Sequence, residues 1–504
     1  MRKTGVLMHI TSLPGKYGVG TMGKSAYGFI DFLKKAGQSC WQILPLTPTG
    51  YGNSPYQSSS TFAGNPYLID LELLVEEGLL TAQELDDVTW SSQDDRVDFG
   101  ALYHNKLKIL RKAFERHGET LEFAKFRAEN DWWLPNFGAY MVLKEHFGGT
   151  PWYEWPEELK LRKVSIIDVA VKYAGYAGYQ FHCFVQYLFF KQWDNLRAYA
   201  HKNGISIIGD VPIYVPLDSA DVWSDPEVFQ LDAQLIPTDV AGVPPDGFTA
   251  DGQLWGNPLY RWDVMKDDGY SWWLRRMTMA SMIYDVVRFD HFRGLESYWA
   301  VPYGDKTARN GKWVKGPGID LIRAIQKALP NLKLIAEDLG YLTQEVLEMR
   351  DASGFPGMKV LQFAFDSTEP SDYLPHTYCT NTVCYTGTHD NMTTRQWLET
   401  ASEETVAYAR EYMRLTSEEG FAWGVIRTAF SSVSDLCIVP MQDYLNLGAE
   451  ARMNFPGTMS DSNWTWRMKD GTITNGLTLR IRRLTALYSR LGNQEESNSQ
   501  KGAV

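Results

Sequence analysis

Three acidic residues stand where apolar runs end. Asp290 closes Val286-Val287-Arg288-Phe289-Asp290-His291-Phe292-Arg293-Gly294, Glu337 closes Leu334-Ile335-Ala336-Glu337-Asp338-Leu339-Gly340, and Asp390 follows Cys384-Tyr385-Thr386-Gly387-Thr388-His389. Packing gives a carboxylate no reason to sit at the end of a buried strand. Asp290 lies between Arg288 and His291, and a guanidinium neighbour favours a carboxylate's charged form. That suits a nucleophile. Glu337 follows small and apolar residues, a setting that raises a carboxyl pKa and keeps its proton. One charged and one protonated carboxyl are what retaining glycoside chemistry needs: the first attacks the anomeric carbon, the second protonates the leaving oxygen and then acts as base. Asp390, beside His389, is placed to hold sugar hydroxyls.

Two other readings compete. The acids could be structural ion pairs at strand ends, which is plausible for one of them and strained for three in sequence. They could be metal ligands with His291 and His389. No HxH or HExxH spacing supports a metal, and Arg288 and Arg293 disfavour a cation there, so no metal is expected.

If the acids belong to one site, the elements must bring them to one face. Short β-branched runs alternate with amphipathic stretches along the chain, the pattern of parallel strands with crossover helices. Eight strands are predicted: Val6–Ile10, Ser39–Leu44, Ser206–Val211, Asp285–Asp290, Lys333–Glu337, Met358–Phe363, Thr382–Tyr385 and Asp435–Val439. Eight such runs predict a closed (β/α)8 TIM barrel, an α/β fold whose strand C-termini converge on one face. Residues 1–67 hold the first two strands, with a helix over 25–37 ended by Gly37. About 160 residues then pass before the third strand, too many for a loop. Residues 68–176 are read as a mainly helical insertion, with helices over Leu102–Arg116 and Asn136–Phe147. A long helix from about 177 to 203 and the third strand fill 177–212. Residues 213–275 form a second insertion rich in Pro, Asp, Gly and Trp. The rest of the barrel spans 276–491, with a last helix near 474–491, and 492–504 is a polar tail. A separate C-terminal β domain is not expected.

Composition narrows the partners. The net charge of -12 argues against nucleic acid, because phosphate binding needs a positive surface. Aromatic residues make up 13% of the chain, with 18 Trp and 27 Tyr, more than a core requires and suited to holding sugar-like rings. The five cysteines, Cys40, Cys183, Cys379, Cys384 and Cys437, form no CxxC and read as free thiols. Neither a signal peptide nor a membrane span of about 18 apolar residues is seen. A cytoplasmic protein without a membrane partner is the expectation.

These motifs resemble those of the 4-α-glucanotransferases, also called amylomaltases or disproportionating enzymes, in the α-amylase-like clan. The resemblance runs through Gly50-Tyr51-Gly52-Asn53-Ser54-Pro55-Tyr56-Gln57, Gly209-Asp210-Val211-Pro212-Ile213-Tyr214-Val215, the Pro244–Pro258 loop, Arg288–Gly294, Ala336–Gly340 and Gly387–Asn391. It covers nearly the whole chain in the family's order. It implies that Asp290 is the nucleophile, Glu337 the acid and base, and Asp390 the transition-state stabiliser. It implies further that Tyr51, Ser54, Tyr56, Asp210, Arg288, His291 and His389 line the sugar site, with Tyr56 stacked on the ring. Asp246, Phe248, Gln253 and Trp255 would lie on a loop arching over that site, and a second rim loop, Asn454–Thr458 through Asn463–Arg467, would complete the acceptor side. His9, at the end of the first strand, reads equally as a rim histidine or a ligand contact. The implied substrates are α-1,4-glucans, from maltooligosaccharides to starch or glycogen chains, with glucose as an acceptor. No cofactor is expected, and no calcium-type loop is seen. The arching loop separates this reading from the nearest alternative, an α-amylase-like hydrolase. The carboxylate set separates it from a noncatalytic glucan-binding protein.

Overall fold

The computed structural model describes residues 2–50, 52–91, 93–245, 249–340, 342–366 and 371–492. Among the described residues there are twelve strands: β1 Lys3–Leu7, β2 Cys40–Gln42, β3 Ser206–Val211, β4 Asp239–Val243, β5 Gln253–Pro258, β6 Val286–Phe289, β7 Ser297–Pro302, β8 Lys312–Lys315, β9 Lys333–Ala336, β10 Gly357–Val360, β11 Thr382–Tyr385 and β12 Leu436–Pro440. Eight of them close a barrel in the order β1-β12-β11-β10-β9-β6-β3-β2. Every barrel pair is parallel. This is the α/β barrel expected from the sequence, and each of its strands overlaps a predicted run.

Two strand ends differ from expectation. The first strand is Lys3–Leu7 rather than Val6–Ile10, and Ile10–Ser12 forms a 3-10 turn instead. That turn is itself buried, so the apolar run continues past the strand that it suggested. Gly5 lets β1 come close to β2, since a Cβ there would lie 2.7 Å from Cys40 Cβ. The sixth barrel strand stops at Val360, and Leu361–Phe363 turns as 3-10 helix.

The helices follow their apolar stripes. Lys24–Lys35 buries Ala26, Phe29, Ile30, Phe32 and Leu33, which lie three or four residues apart on one face. Gly37 follows at φ 72°, the left-handed turn that ends many helices. Between β2 and β3 the described residues form helices and turns, with isolated β-bridges between Thr49 and Ser58 and at Arg96, and no strand. The helices include Phe99–His117, Leu134–His146 and a long segment Ile166–Lys202. Gly175, at φ 71° and ψ 163°, breaks that segment in two. Its second part is the long helix predicted to lead into the third strand, and Leu134–His146 packs along it.

A four-stranded antiparallel sheet, in the order β5-β4-β7-β8, is an addition to the predicted elements. It draws β4 and β5 from the Pro- and Trp-rich insertion, and β7 and β8 from residues after the fourth barrel strand. The sheet carries the segment with Gln253 and Trp255 back over the end of the barrel.

Candidate active site

Strand pairing brings the acids together. Asp210 on β3 stands beside Arg288 on β6 in register, and Arg288 beside Ile335 on β9. The ladder continues beyond the strand ends: Asp290 N–H donates to the Val211 carbonyl at 3.0 Å and Glu337 N–H to the Phe289 carbonyl at 3.1 Å. Asp290 and Glu337 therefore emerge side by side at the C-terminal mouth of the barrel.

Arg288 organises the centre. It is 3% exposed, and its Nη1 donates to Asp210 Oδ2 and to Asp290 Oδ1, both at 2.7 Å. Burial opposes its charge, but the two carboxylates outweigh burial and its pKa is raised. Asp210 also accepts from the Tyr56 hydroxyl at 3.0 Å. Burial raises the Asp210 pKa against the pull of Arg288. Its second oxygen, Oδ1, is buried without a partner, beside a cavity of about 40 Å³ that Asp210 lines with Tyr56, Arg276 and Tyr284. A single water fits a space of that size, with Asp210 Oδ1 as one acceptor.

Glu337 is held by the backbone. His291 N–H donates to Oε2 at 2.7 Å and Leu339 N–H to Oε1 at 3.1 Å. His291 can turn its N–H that way because it sits at φ 54°, ψ 47°, in the left-handed region, which few non-glycine residues adopt. Burial pushes the Glu337 carboxyl up to about 7; Asp290 adds to the rise, while Arg288 and the two N–H donors oppose it. The neighbouring acid, Asp338, serves the barrel wall instead. It accepts from Arg350 at 2.8 Å and from Met358 N–H at 2.7 Å, tying β9 to β10.

Asp390 stands across the mouth. Its Oδ2 lies 3.4 Å from His389 Nε2. Burial lowers the His389 pKa, and the Asp390 charge opposes this. The His389 ring is stacked on Tyr56 with centroids 5.2 Å apart and planes 15° apart. Ser54 Oγ accepts from Tyr56 N–H at 3.2 Å, a local turn that aims the tyrosine. His291 is lowered to about 3, by burial first and Arg293 second. Its ring meets Trp255 edge-on at 4.8 Å, and Gln253 Oε1 accepts from Trp255 Nε1 at 3.2 Å.

Most of the site residues expected from sequence thus gather at one mouth: Ser54, Tyr56, Asp210, Gln253, Trp255, Arg288, Asp290, His291, Glu337, His389 and Asp390. Tyr51, Asp246 and Phe248 lie outside the described residues. His9 accepts from Leu44 N–H through Nδ1 at 3.3 Å. Sequence reasoning missed Arg452 and the contact of Asn454 with Asp390. Their signal was faint: an Arg-x-Asn spacing, which in an extended segment puts both side chains on one side. Among the described residues no three His, Cys, Asp or Glu side chains group as a metal site.

A parallel (β/α)8 barrel with a carboxylate-rich mouth defines the class as a barrel enzyme. The chain belongs to the 4-alpha-glucanotransferase family, whose sequence model matches residues 8–474. It is 49% identical to the 4-alpha-glucanotransferase of Clostridium butyricum over 96% of this chain and 100% of that one. It is 47% identical to that of Thermus thermophilus over 97% and 99%. Among solved structures, the amylomaltase from Streptococcus agalactiae in complex with acarbose superposes with a TM-score of 0.94 at 40% identity, covering 98% of this chain and 100% of that one.

Proposed function

We propose that this enzyme moves 4-α-glucanosyl segments between α-1,4-glucan chains by double displacement, with Asp290, Glu337 and Asp390 as its catalytic groups. The observation that carries this reading is the pairing of two unlike carboxyls at adjacent strand ends. Asp290 is held 2.7 Å from the Arg288 guanidinium, while burial raises Glu337 to about 7 and favours its protonated form. Asp290 attacks the anomeric carbon as Glu337 gives its proton to the departing glycosidic oxygen, which leaves with the rest of the donor. The glycosyl ester then forms on Asp290. An acceptor hydroxyl next loses its proton to Glu337 and attacks the same carbon, freeing Asp290 and restoring the configuration. Asp390 and His389 hold sugar hydroxyls through the oxocarbenium-like transition state, and Tyr56 carries the ring.

Transfer requires that a sugar hydroxyl outcompete water. The Trp255 arm and the loop from Asn454 to Trp464 flank the mouth, and both support water exclusion once an acceptor is seated. Maltooligosaccharides, starch or glycogen chains are the proposed donors, and glucose is among the acceptors. Five free cysteines support a reducing, cytoplasmic setting, and no helix among the described residues is long and apolar enough to cross a membrane.

The test is incubation with maltotriose, followed by chromatography and a reducing-end assay. Transfer yields glucose and a ladder of longer maltooligosaccharides with a constant number of reducing ends. A rise in reducing ends matching substrate loss would mean a hydrolase. Asp290→Asn abolishes the ladder; a ladder formed at near wild-type rate by that variant would refute the mechanism.

A further inference from the structure

The rim loop after β12 closes directly on the third carboxylate. Asn454 Nδ2 donates to Asp390 Oδ1 at 2.6 Å. A carboxylate only accepts hydrogen bonds, so the amide face turned to it must be the NH2. Asn454 is 9% exposed, and water competes little for this bond. Arg452 secures the same junction from the backbone side. Its Nη2 donates to the Asp390 carbonyl at 3.0 Å and its Nε to the Asn454 carbonyl at 2.8 Å. Its guanidinium lies over the Phe455 ring at 4.1 Å. One short segment thus fixes both the carboxylate and the main chain of Asp390.

The same loop reaches the sugar-stacking aromatics at its other end. Phe455 N–H donates to Asn463 Oδ1 at 3.2 Å, and Trp464 N–H to the Met453 carbonyl at 2.7 Å. Trp464, at φ 65°, brings its ring within 5.7 Å of Tyr56 and 5.9 Å of His389. A shift of the loop would move Trp464 at one end and release Asp390 at the other.

We infer that Asn454 is a positioning residue for Asp390, and that with Arg452 it makes the acceptor-side loop a condition for aligning the third carboxylate. This rests on the reading of Asp390 as the group that grips sugar hydroxyls in the transition state. Asp390 has an exposed side; its side chain is 42% accessible, so without Asn454 it is free to rotate toward water. Misplacement of a catalytic group by an ångström costs about a hundredfold in rate. The loop that supports Asp390 also borders the acceptor side, so the carboxylate is aligned when that side is closed and less so when it is open to water.

The experiment compares Asn454→Ala, Asn454→Asp and Asp390→Asn in the full-length enzyme, with maltotriose as donor and acceptor. Asn454→Ala is expected to lower kcat about 10- to 100-fold with KM changed less than about threefold. Asn454→Asp keeps the shape but puts a second carboxyl within hydrogen-bond reach of Asp390. Such a pair shares a proton at low pH and repels when both ionise. Its kcat relative to wild type therefore falls as pH rises from about 5 to 8, whereas the ratio for Asn454→Ala stays flat. A side chain at position 454 without reach to the Asp390 carboxylate would leave that ratio flat, and a merely structural asparagine would lower stability with kcat kept near wild type. An Asn454→Ala enzyme within twofold of wild type, beside an inactive Asp390→Asn, overturns the positioning role and leaves the mechanism standing. An active Asp390→Asn overturns the reading of Asp390 itself. Should Asn454→Ala melt early, the ratio for Asn454→Asp decides, and a flat ratio refutes the inference.

Discussion

At the scale of single residues, Glu337 carries the clearest conflict between stability and function. Burial and the Asp290 charge raise its carboxyl to about 7, from an ordinary 4.5. As the proposed acid of the first displacement Glu337 must be protonated, so kcat/KM on maltotriose should fall as pH rises through about 7, approaching tenfold per unit beyond it. The same shift has a folding consequence. Between pH 4.5 and 7 the folded chain holds a proton that the unfolded chain has lost, so Glu337 makes stability fall as pH rises across that window, by no more than about 1.4 kcal/mol per pH unit. Glu337→Gln keeps the shape and removes the titration. Its activity drops about 10²- to 10⁴-fold. Denaturant midpoints at pH 5 and pH 8 should show the variant gaining on wild type at the higher pH. An unchanged difference between the two pH values would place the proton elsewhere.

At the scale of elements, the proposed mechanism makes the β5 arm the barrier between water and the glycosyl ester. Trp255 sits mid-strand between the exposed Leu254 and Gly256, packs edge-on to His291 at 4.8 Å, and is oriented by Gln253. Truncation at Trp255→Ala opens that side of the mouth to water, so transfer should slow and the hydrolysed share of product should rise about fivefold or more. Counting reducing ends against the maltooligosaccharide ladder measures both, and a share equal to wild type would remove the arm from water exclusion. This arm also marks where sequence reading reaches its limit. The barrel strands are legible because strands buried on both faces read as apolar runs, and the acids are legible because they interrupt those runs. The antiparallel sheet is not. The Lys312–Lys315 strand is largely exposed, and Gln253–Pro258 is half-buried or exposed as far as Gly256, so no buried apolar run marks them. The motif order exposes the carboxylates, yet nothing local ties Tyr56 to Asp210 or Asn454 to Asp390, because partners separated by 154 and 64 positions meet only through barrel closure.

For the whole molecule, closure and the proposed chemistry occupy opposite ends of the barrel. The mouth holds the acids, whereas the other end is fastened by arginines: Arg2 donates to the Ser432 carbonyl at 2.9 Å and the Tyr488 carbonyl at 3.1 Å, and Arg490 makes the larger set of bonds. Arg490, fully buried after the last helix, donates to the Phe430 carbonyl at 2.8 Å, the Lys3 carbonyl at 3.0 Å, and the Ser432 and Ser434 carbonyls at 2.8 and 3.1 Å. Lys3 opens β1, and Ser432 and Ser434 precede β12. The arginine therefore clips the C-terminal helix across the seam where the first and last strands meet. Burial lowers its pKa, but an arginine remains charged at any physiological pH, and the four carbonyls satisfy that charge in place of water. Arg490→Met keeps much of the volume and strips its donors; the Ser432 carbonyl keeps Arg2, and each carbonyl left unpaired costs about 1–3 kcal/mol, part of it recovered by relaxation. A net loss of about 3–5 kcal/mol is expected from the unpaired carbonyls, read as a lower denaturant midpoint and a shorter half-life on heating. Because the substituted end lies a full strand length from Asp290 and Glu337, kcat on maltotriose at 25 °C should stay within about twofold of wild type, as the division between a stabilising and a catalytic barrel face requires. A variant that kept its stability would show that the hydrogen-bonded seam between β1 and β12 closes the barrel without the clip. One that lost activity at 25 °C while still folded would show that strain at the closed end reaches the mouth.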